Sequence, residues 1–271
     1  KAQDYPVPVA PNVGQPLPGW EHGTTNQIFE ISYIENLLWI AAPDSLVPSP
    51  TRLERLGYFY YQTCDINATA TRHWYPDGLG GYKGFIPIGG ADKGIMYYDG
   101  RGYGVNNLYI NRPEMDYVGL FGMDNGYQYD IMNLGMSNVD ITGRDYVGGL
   151  IGYSPSAYIM RSFSTGSVSG RDHVGGLVGK VESSVYDCYS TASVVGSTNI
   201  GGLVGSLEDG LNQFIDCLIR RSYAAGSVNG TGSHVGGLIG FSTANVYNSF
   251  WDTQTSGKLP ARVAAVKPHA K

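Results

Sequence analysis

Charge is scarce in this 271-residue chain. Lys, Arg, Asp and Glu make up 15% of it, against about 25% in ordinary globular domains. With 18 basic and 23 acidic residues the net charge is −5, so nothing global draws it toward nucleic acid. Cysteine occurs three times, at Cys64, Cys188 and Cys217, with no CxxC spacing. At least one cysteine stays unpaired, and a cysteine zinc site is disfavoured. No apolar run approaches the roughly 18 residues of a transmembrane segment; the longest, Leu37-Leu38-Trp39-Ile40-Ala41-Ala42, stops at Pro43. His22, His73, His173, His234 and His269 form no HExxH or close pair, and no GxSxG elbow or D-x-D-x-D-G calcium loop is present. We expect no catalytic residue, no metal and no cofactor. The chain starts at Lys1-Ala2-Gln3 without a signal-peptide pattern, which reads either as a processed start or as a fragment boundary.

Glycine is abundant: 39 of 271 residues, about twice the usual 7%. Glycine costs roughly 1 kcal/mol per helical position relative to alanine, so helical bundles and coiled coils are excluded. It does not recur every third residue, which excludes collagen. With 42% hydrophobic residues the chain can bury a core and is not a disordered polymer.

Much of the glycine lies in an internal repeat. Tyr117-Val118-Gly119-Leu120-Phe121-Gly122 returns as Tyr146-Val147-Gly148-Gly149-Leu150-Ile151-Gly152 and as His173-Val174-Gly175-Gly176-Leu177-Val178-Gly179. It returns again as Asn199-Ile200-Gly201-Gly202-Leu203-Val204-Gly205 and His234-Val235-Gly236-Gly237-Leu238-Ile239-Gly240. The closing glycines are 30, 27, 26 and 35 residues apart. A second element keeps phase with the first: Arg161-Ser162-Phe163-Ser164-Thr165-Gly166, Asp187-Cys188-Tyr189-Ser190-Thr191-Ala192 and Arg221-Ser222-Tyr223-Ala224-Ala225-Gly226. Such units cannot bury an apolar face singly but can when stacked, so an all-β parallel β-solenoid (β-helix) is expected. The glycine blocks suit its corners, through positive φ and close coil-to-coil approach, with Val and Leu pointing inward.

The organisation expected is an extended Pro-rich arm (residues 1–27), an N-terminal cap with first irregular coils (28–105), the solenoid proper (106–257) and an extended basic tail (258–271). One short helix is expected between Ile28 and Ala42, where Ile31, Ile34, Leu37, Leu38 and Ala41 recur at near-helical spacing and Ser32 could cap. Turns are expected at Pro76-Asp77-Gly78, Gly89-Gly90 and Asp99-Gly100.

The five phased blocks resemble the GLUG motif of bacterial and archaeal surface proteins. Tyr97-Tyr98-Asp99-Gly100, the lead-in Asn107 to Pro113 and Asn248-Ser249-Phe250-Trp251-Asp252-Thr253 extend the resemblance to about residues 28–257. It departs at the first block, which lacks the doubled glycine, and in the last interval, stretched by Glu208 to Cys217. The resemblance implies a β-solenoid outside the cell or on its surface and transfers no catalytic residue.

Solenoids that cleave acidic polysaccharides gather carboxylates in one groove, and Asp130, Asp140, Asp145, Asp172, Asp187 and Asp216 are the candidates here. Catalytic pairs need about 5–9.5 Å; a repeated polar turn is the plainer reading of Gly143-Arg144-Asp145 and Gly170-Arg171-Asp172. Asn67 and Asn229 head sequons for glycosylation. Tyr117, Tyr146, Tyr189 and Tyr223 fit stacked ladders or, alternatively, a sugar-binding face. Arm and tail are mobile unless something holds them; a neighbouring copy is the expected holder, giving a homo-oligomer or helical polymer. The leading expectation is a non-catalytic self-assembling surface protein. A glycan-binding adhesin module and, behind it, a polysaccharide lyase or hydrolase are the alternatives.

Overall fold

The computed structural model describes residues 5–14, 27–124, 130–209 and 217–258. The chain is mostly β and winds into a β-solenoid of about seven turns. One sheet runs its length, in the order Asn12–Val13, Ile28–Ile31, Phe59–Gln62, Tyr97–Asp99, Ile131–Met132, Ile159–Met160, Ser184–Tyr186, Leu218–Arg220, Asn245–Tyr247. Every pair in it is parallel except the first. A second long sheet carries Gly135–Thr142 and Phe163–Ser169, and two shorter ones carry the two limbs of the glycine blocks.

Register is set by burial. Val147, Val174, Ile200 and Val235 face one another in one limb; Phe121, Ile151, Val178, Val204 and Ile239 do so in the other. Leu120, Leu150, Leu177, Leu203 and Leu238 are buried between them. Equivalent residues of successive coils thus form one continuous apolar column, which a slip of one residue would turn outward.

The glycines of the blocks serve one of the two expected purposes. None has a positive φ among the described residues. The limbs of each arch, and adjacent arches, simply lie too close for a side chain. A Cβ on Gly152 would fall 2.6 Å from Tyr146 O and 2.7 Å from Val118 N; one on Gly205 would fall 2.7 Å from Val174 N. In each block the left-handed backbone falls two residues before the first glycine, on Tyr117 (φ 59°), Tyr146 (57°), His173 (52°), Asn199 (55°) and His234 (58°).

At the N-terminal end the helix is Ile34–Ala41. Residues Ile28–Ile31 are a strand with alternating burial, paired in parallel with Phe59–Gln62. The apolar spacing read as one helix therefore spans a strand and a helix. Tyr33 is the N-cap, and Asn36 Oδ1 accepts from the Ser32 and Tyr33 amides, both at 3.1 Å. The Ser32 hydroxyl instead meets Thr63 Oγ1 at 2.7 Å. Ile34, Leu37, Leu38 and Ile40 are buried over the first coils. Among the described residues there are two further α-helices, Arg52–Leu56, opened by a Thr51/Glu54 capping box, and Thr253–Ser256, capped by Asp252.

The described part of the Pro-rich arm is held by its own chain. Val9 N donates to Glu35 O (3.1 Å), Asn36 Nδ2 donates to Val9 O (3.0 Å), and Asn12–Val13 pairs antiparallel with Ile28–Ile31. Residues 1–4, 15–26 and 259–271, and with them most of the tail, lie outside the described residues.

Candidate functional site

Most of the polar and aromatic side chains that recur once per coil are taken up by the next coil. Phe163, Tyr189, Tyr223 and Phe250 stack with centroids 4.8, 5.0 and 5.6 Å apart and planes within 6°. Tyr117 and Tyr146 belong to a different stack, 5.0 Å apart, which continues to His173 at 4.7 Å. The expected tyrosine ladders are thus present, with Tyr117 and Tyr146 in one and Tyr189 and Tyr223 in another.

The arginines of the polar turns reach back one coil. Arg144 makes two 2.6 Å hydrogen bonds to Asp116, Arg221 binds Asp187 at 2.6 and 2.7 Å, and Arg171 grips Asp145. These bonds lower the Asp116 and Asp187 pKa values, chiefly through the donated guanidinium protons. A lowered folded pKa contributes stability that is present above the unfolded value, about 3.9, and is lost as pH falls through the folded value. The urea midpoint should therefore hold steady above about pH 5 and drop modestly below pH 4. In Asp116→Asn/Asp187→Asn this acid-side drop should be shallower.

The carboxylates proposed for catalysis are dispersed among such partners. Asp140 pairs with Arg72 at 2.9 Å, and Asp145 with Arg171. Asp172 accepts from Asn199 Nδ2 (2.9 Å) and from the His173 amide (2.8 Å). Asp145 and Asp172 do face each other on adjacent strands. Burial raises the pKa of Asp130; Asp216 lies outside the described residues. Asn67 and Asn229 are both exposed, and Asn67 Oδ1 accepts from the Thr69 amide and hydroxyl at 3.0 and 2.7 Å. His73 and His234 are exposed; His22 and His269 lie outside the described residues. Among the described residues no disulfide joins Cys64, Cys188 and Cys217, and burial pushes Cys188 up to about 12.

One surface breaks the repeat. Each arch is flanked by the left-handed residue before it and the residue after its closing glycine. The first column reads Tyr117, Tyr146, His173, Asn199, His234; the second, aligned by strand register, reads Met123, Tyr153, Lys180, Ser206, Phe241. Around the middle coils they converge. The Tyr153 ring lies 6.1 Å from Tyr117 and 5.9 Å from Tyr146, and Lys180 Nζ sits 5.7 Å over it. Lys180 Nζ also meets Glu182 and Glu208, each at 3.0 Å, and His173 Nε2 is 4.0 Å from Glu208. Burial works against the Lys180 charge, but the bonds to Glu208 and Glu182 outweigh it and its pKa rises. Burial lowers the His173 pKa, more than Asp172 raises it, so the imidazole is neutral at pH 7. Burial and a hydrogen bond to Glu182 raise the Tyr153 pKa. Sequence reasoning misses Tyr153, Lys180 and Glu182, although Tyr153 and Lys180 carry a signal, one position past a closing glycine, and Glu182 lies two residues beyond Lys180.

The fold defines a parallel β-solenoid built from coil-spanning glycine arches. The GLUG motif family model matches residues 170–195, one coil of that solenoid from Gly170 to Val195. No curated protein matches the chain. Among solved structures it is similar to a "putative immunoglobulin A1 protease" from Bacteroides ovatus, with a TM-score of 0.54, 18% identity, and coverage of 84% of this chain and 68% of that one. At that identity the likeness is one of fold. The GLUG motif and the solenoid fold are compatible with a secreted or surface protein. No helix among the described residues is long and apolar enough to cross a membrane.

Proposed function

We propose that this chain is a non-catalytic structural solenoid of the cell exterior, and that it assembles with further copies of itself. One observation carries the structural reading: the recurrent ionic and aromatic side chains are consumed in pairs between coils, as Arg144–Asp116, Arg221–Asp187 and Tyr189–Tyr223 are. A rod cross-linked in this way along its axis resists bending and local opening, because each coil is supported by its neighbours. For assembly the basic tail is the better contact than the Pro-rich arm, whose residues 5–14 are already engaged in cis. The tail sequence holds Lys258, Arg262, Lys267 and Lys271 and no acidic residue, while the chain as a whole is acidic; a second copy offers the complementary charge.

Electron microscopy and light scattering of the full chain test this. Polymers are expected, and they should be lost when residues 258–271 are deleted and weakened by salt. Monodisperse monomers at all concentrations would remove self-assembly. Product release from a panel of acidic and neutral polysaccharides would remove the non-catalytic reading.

A further inference from the structure

The solenoid spends its repeated side chains on itself, so the place where the repeat breaks down is the place to seek recognition. That place is the rim around Tyr153 and Lys180. Glycine is the low-cost residue at a left-handed position, and this chain is rich in it, yet the five arches carry Tyr117, Tyr146, His173, Asn199 and His234 there. Asn133, Arg161, Asp187, Arg221 and Asn248 hold the same backbone once per coil elsewhere, so the left-handed φ belongs to the repeat, and what distinguishes this rim is its side chains. Their neighbours in the second column change from coil to coil as well, in contrast to the near-uniform aromatic ladder Phe163–Tyr189–Tyr223–Phe250.

We propose that this rim is a binding site for neutral saccharides. A sugar ring presents apolar C–H faces edged by hydroxyls, and a site for it needs aromatic surface beside closely spaced donors and acceptors. Tyr117, Tyr146 and Tyr153 supply the aromatic surface, in mutual contact within 6.1 Å. Immediately along the axis lie Lys180 as donor and Glu182 and Glu208 as acceptors, joined at 3.0 Å, with side chains 16%, 21% and 29% exposed. Ser206, in register with Lys180, is fully buried and its hydroxyl has no partner. It is a polar group of this column still to be satisfied. The charge balance selects against anionic sugars, because Asp172, Glu182 and Glu208 surround a single Lys180 and a neutral His173.

The site does not depend on self-assembly and would serve a monomer equally. The test uses the full chain, displayed against immobilised neutral oligosaccharides (galactose-, mannose- and glucose-based) and their sialylated counterparts, followed by titration calorimetry on the best probe. Retention of a neutral probe is expected. Tyr153→Ala and Glu208→Gln should each weaken it at least tenfold, and Tyr153→Phe, which keeps the ring, should weaken it less than Tyr153→Ala. Tyr223→Ala, in the other aromatic ladder, should bind as the parent does. Circular dichroism separates lost binding from lost fold, and Glu208→Gln keeps the test open if Tyr153→Ala misfolds. Retention of no neutral probe, preference for the sialylated set, or unchanged affinity in folded Glu208→Gln would each overturn the proposal. None of these results bears on whether the chain polymerises.

Discussion

Gly152→Ala should destabilise the solenoid by about 3 kcal/mol or more, or prevent folding. One methyl group is added, but it has nowhere to go. Its carbon would lie 2.6 Å from Tyr146 O, 2.7 Å from Tyr117 C and 2.7 Å from Val118 N, all backbone atoms of its own or the preceding coil. A side chain could rotate away; these atoms are fixed by ladder bonds, such as Val118 N to Tyr146 O at 2.9 Å. The coils would have to separate. Gly102→Ala is the informative control. Gly102 has φ +86° and nothing within 4 Å of an added Cβ, so only the left-handed penalty applies, about 1–2 kcal/mol. Urea unfolding of both variants measures the difference. Equal losses would mean that backbone conformation, and not coil spacing, accounts for the glycine blocks.

Leu177→Ala should cost about 2–5 kcal/mol, the range for emptying a packed core position. Leu177 is fully buried in the column that also holds Leu150 and Leu203, and its amide donates to Leu203 O at 2.9 Å. A cavity there removes contacts from the coils on both sides at once. Because a solenoid's stability is held largely in interfaces between neighbouring coils, unfolding should become broader as well as earlier if the rod splits at this point. Leu79→Ala supplies the comparison: Leu79 is 94% exposed, and its loss should stay within about 0.5 kcal/mol. A Leu177→Ala midpoint matching that of Leu79→Ala would contradict the central column as the core.

Particular residues show where reading the sequence succeeded and where it stopped. The phased blocks led directly to stacked coils, because a side-chain pattern recurring at 26–30 residues can be buried only by stacking. The helix was located but drawn too long. Ile28 and Ile31 fit a helical spacing and a strand alternation equally well in so short a stretch, and pairing with Phe59–Gln62 decided it. The helix Arg52–Leu56 has a legible start in Thr51 and Glu54, but its five residues are too few for a helical period to show. The tyrosines were expected in ladders, but which tyrosines share a ladder depends on the path of the coil: Tyr146 stacks with Tyr117, and Tyr189 with Tyr223. Aspartates that look alike in the turns differ by what reaches them from the next coil.

The sequence by itself determined the class of this molecule. Its glycine surplus, few charges and five spaced blocks admit a parallel β-solenoid and little else, since local composition and periodicity suffice to exclude helical bundles, coiled coils, collagen and a transmembrane helix. Only the tertiary structure decided what the block glycines are for and which surface stands apart from the repeat. Both depend on distances between coils, from Gly152 to Tyr146 and Val118, and from Lys180 to Tyr153, Glu182 and Glu208. Such distances arise when coils about 27 residues apart in sequence come to lie about 4.8 Å apart in space, a relation to which no window along the chain is sensitive.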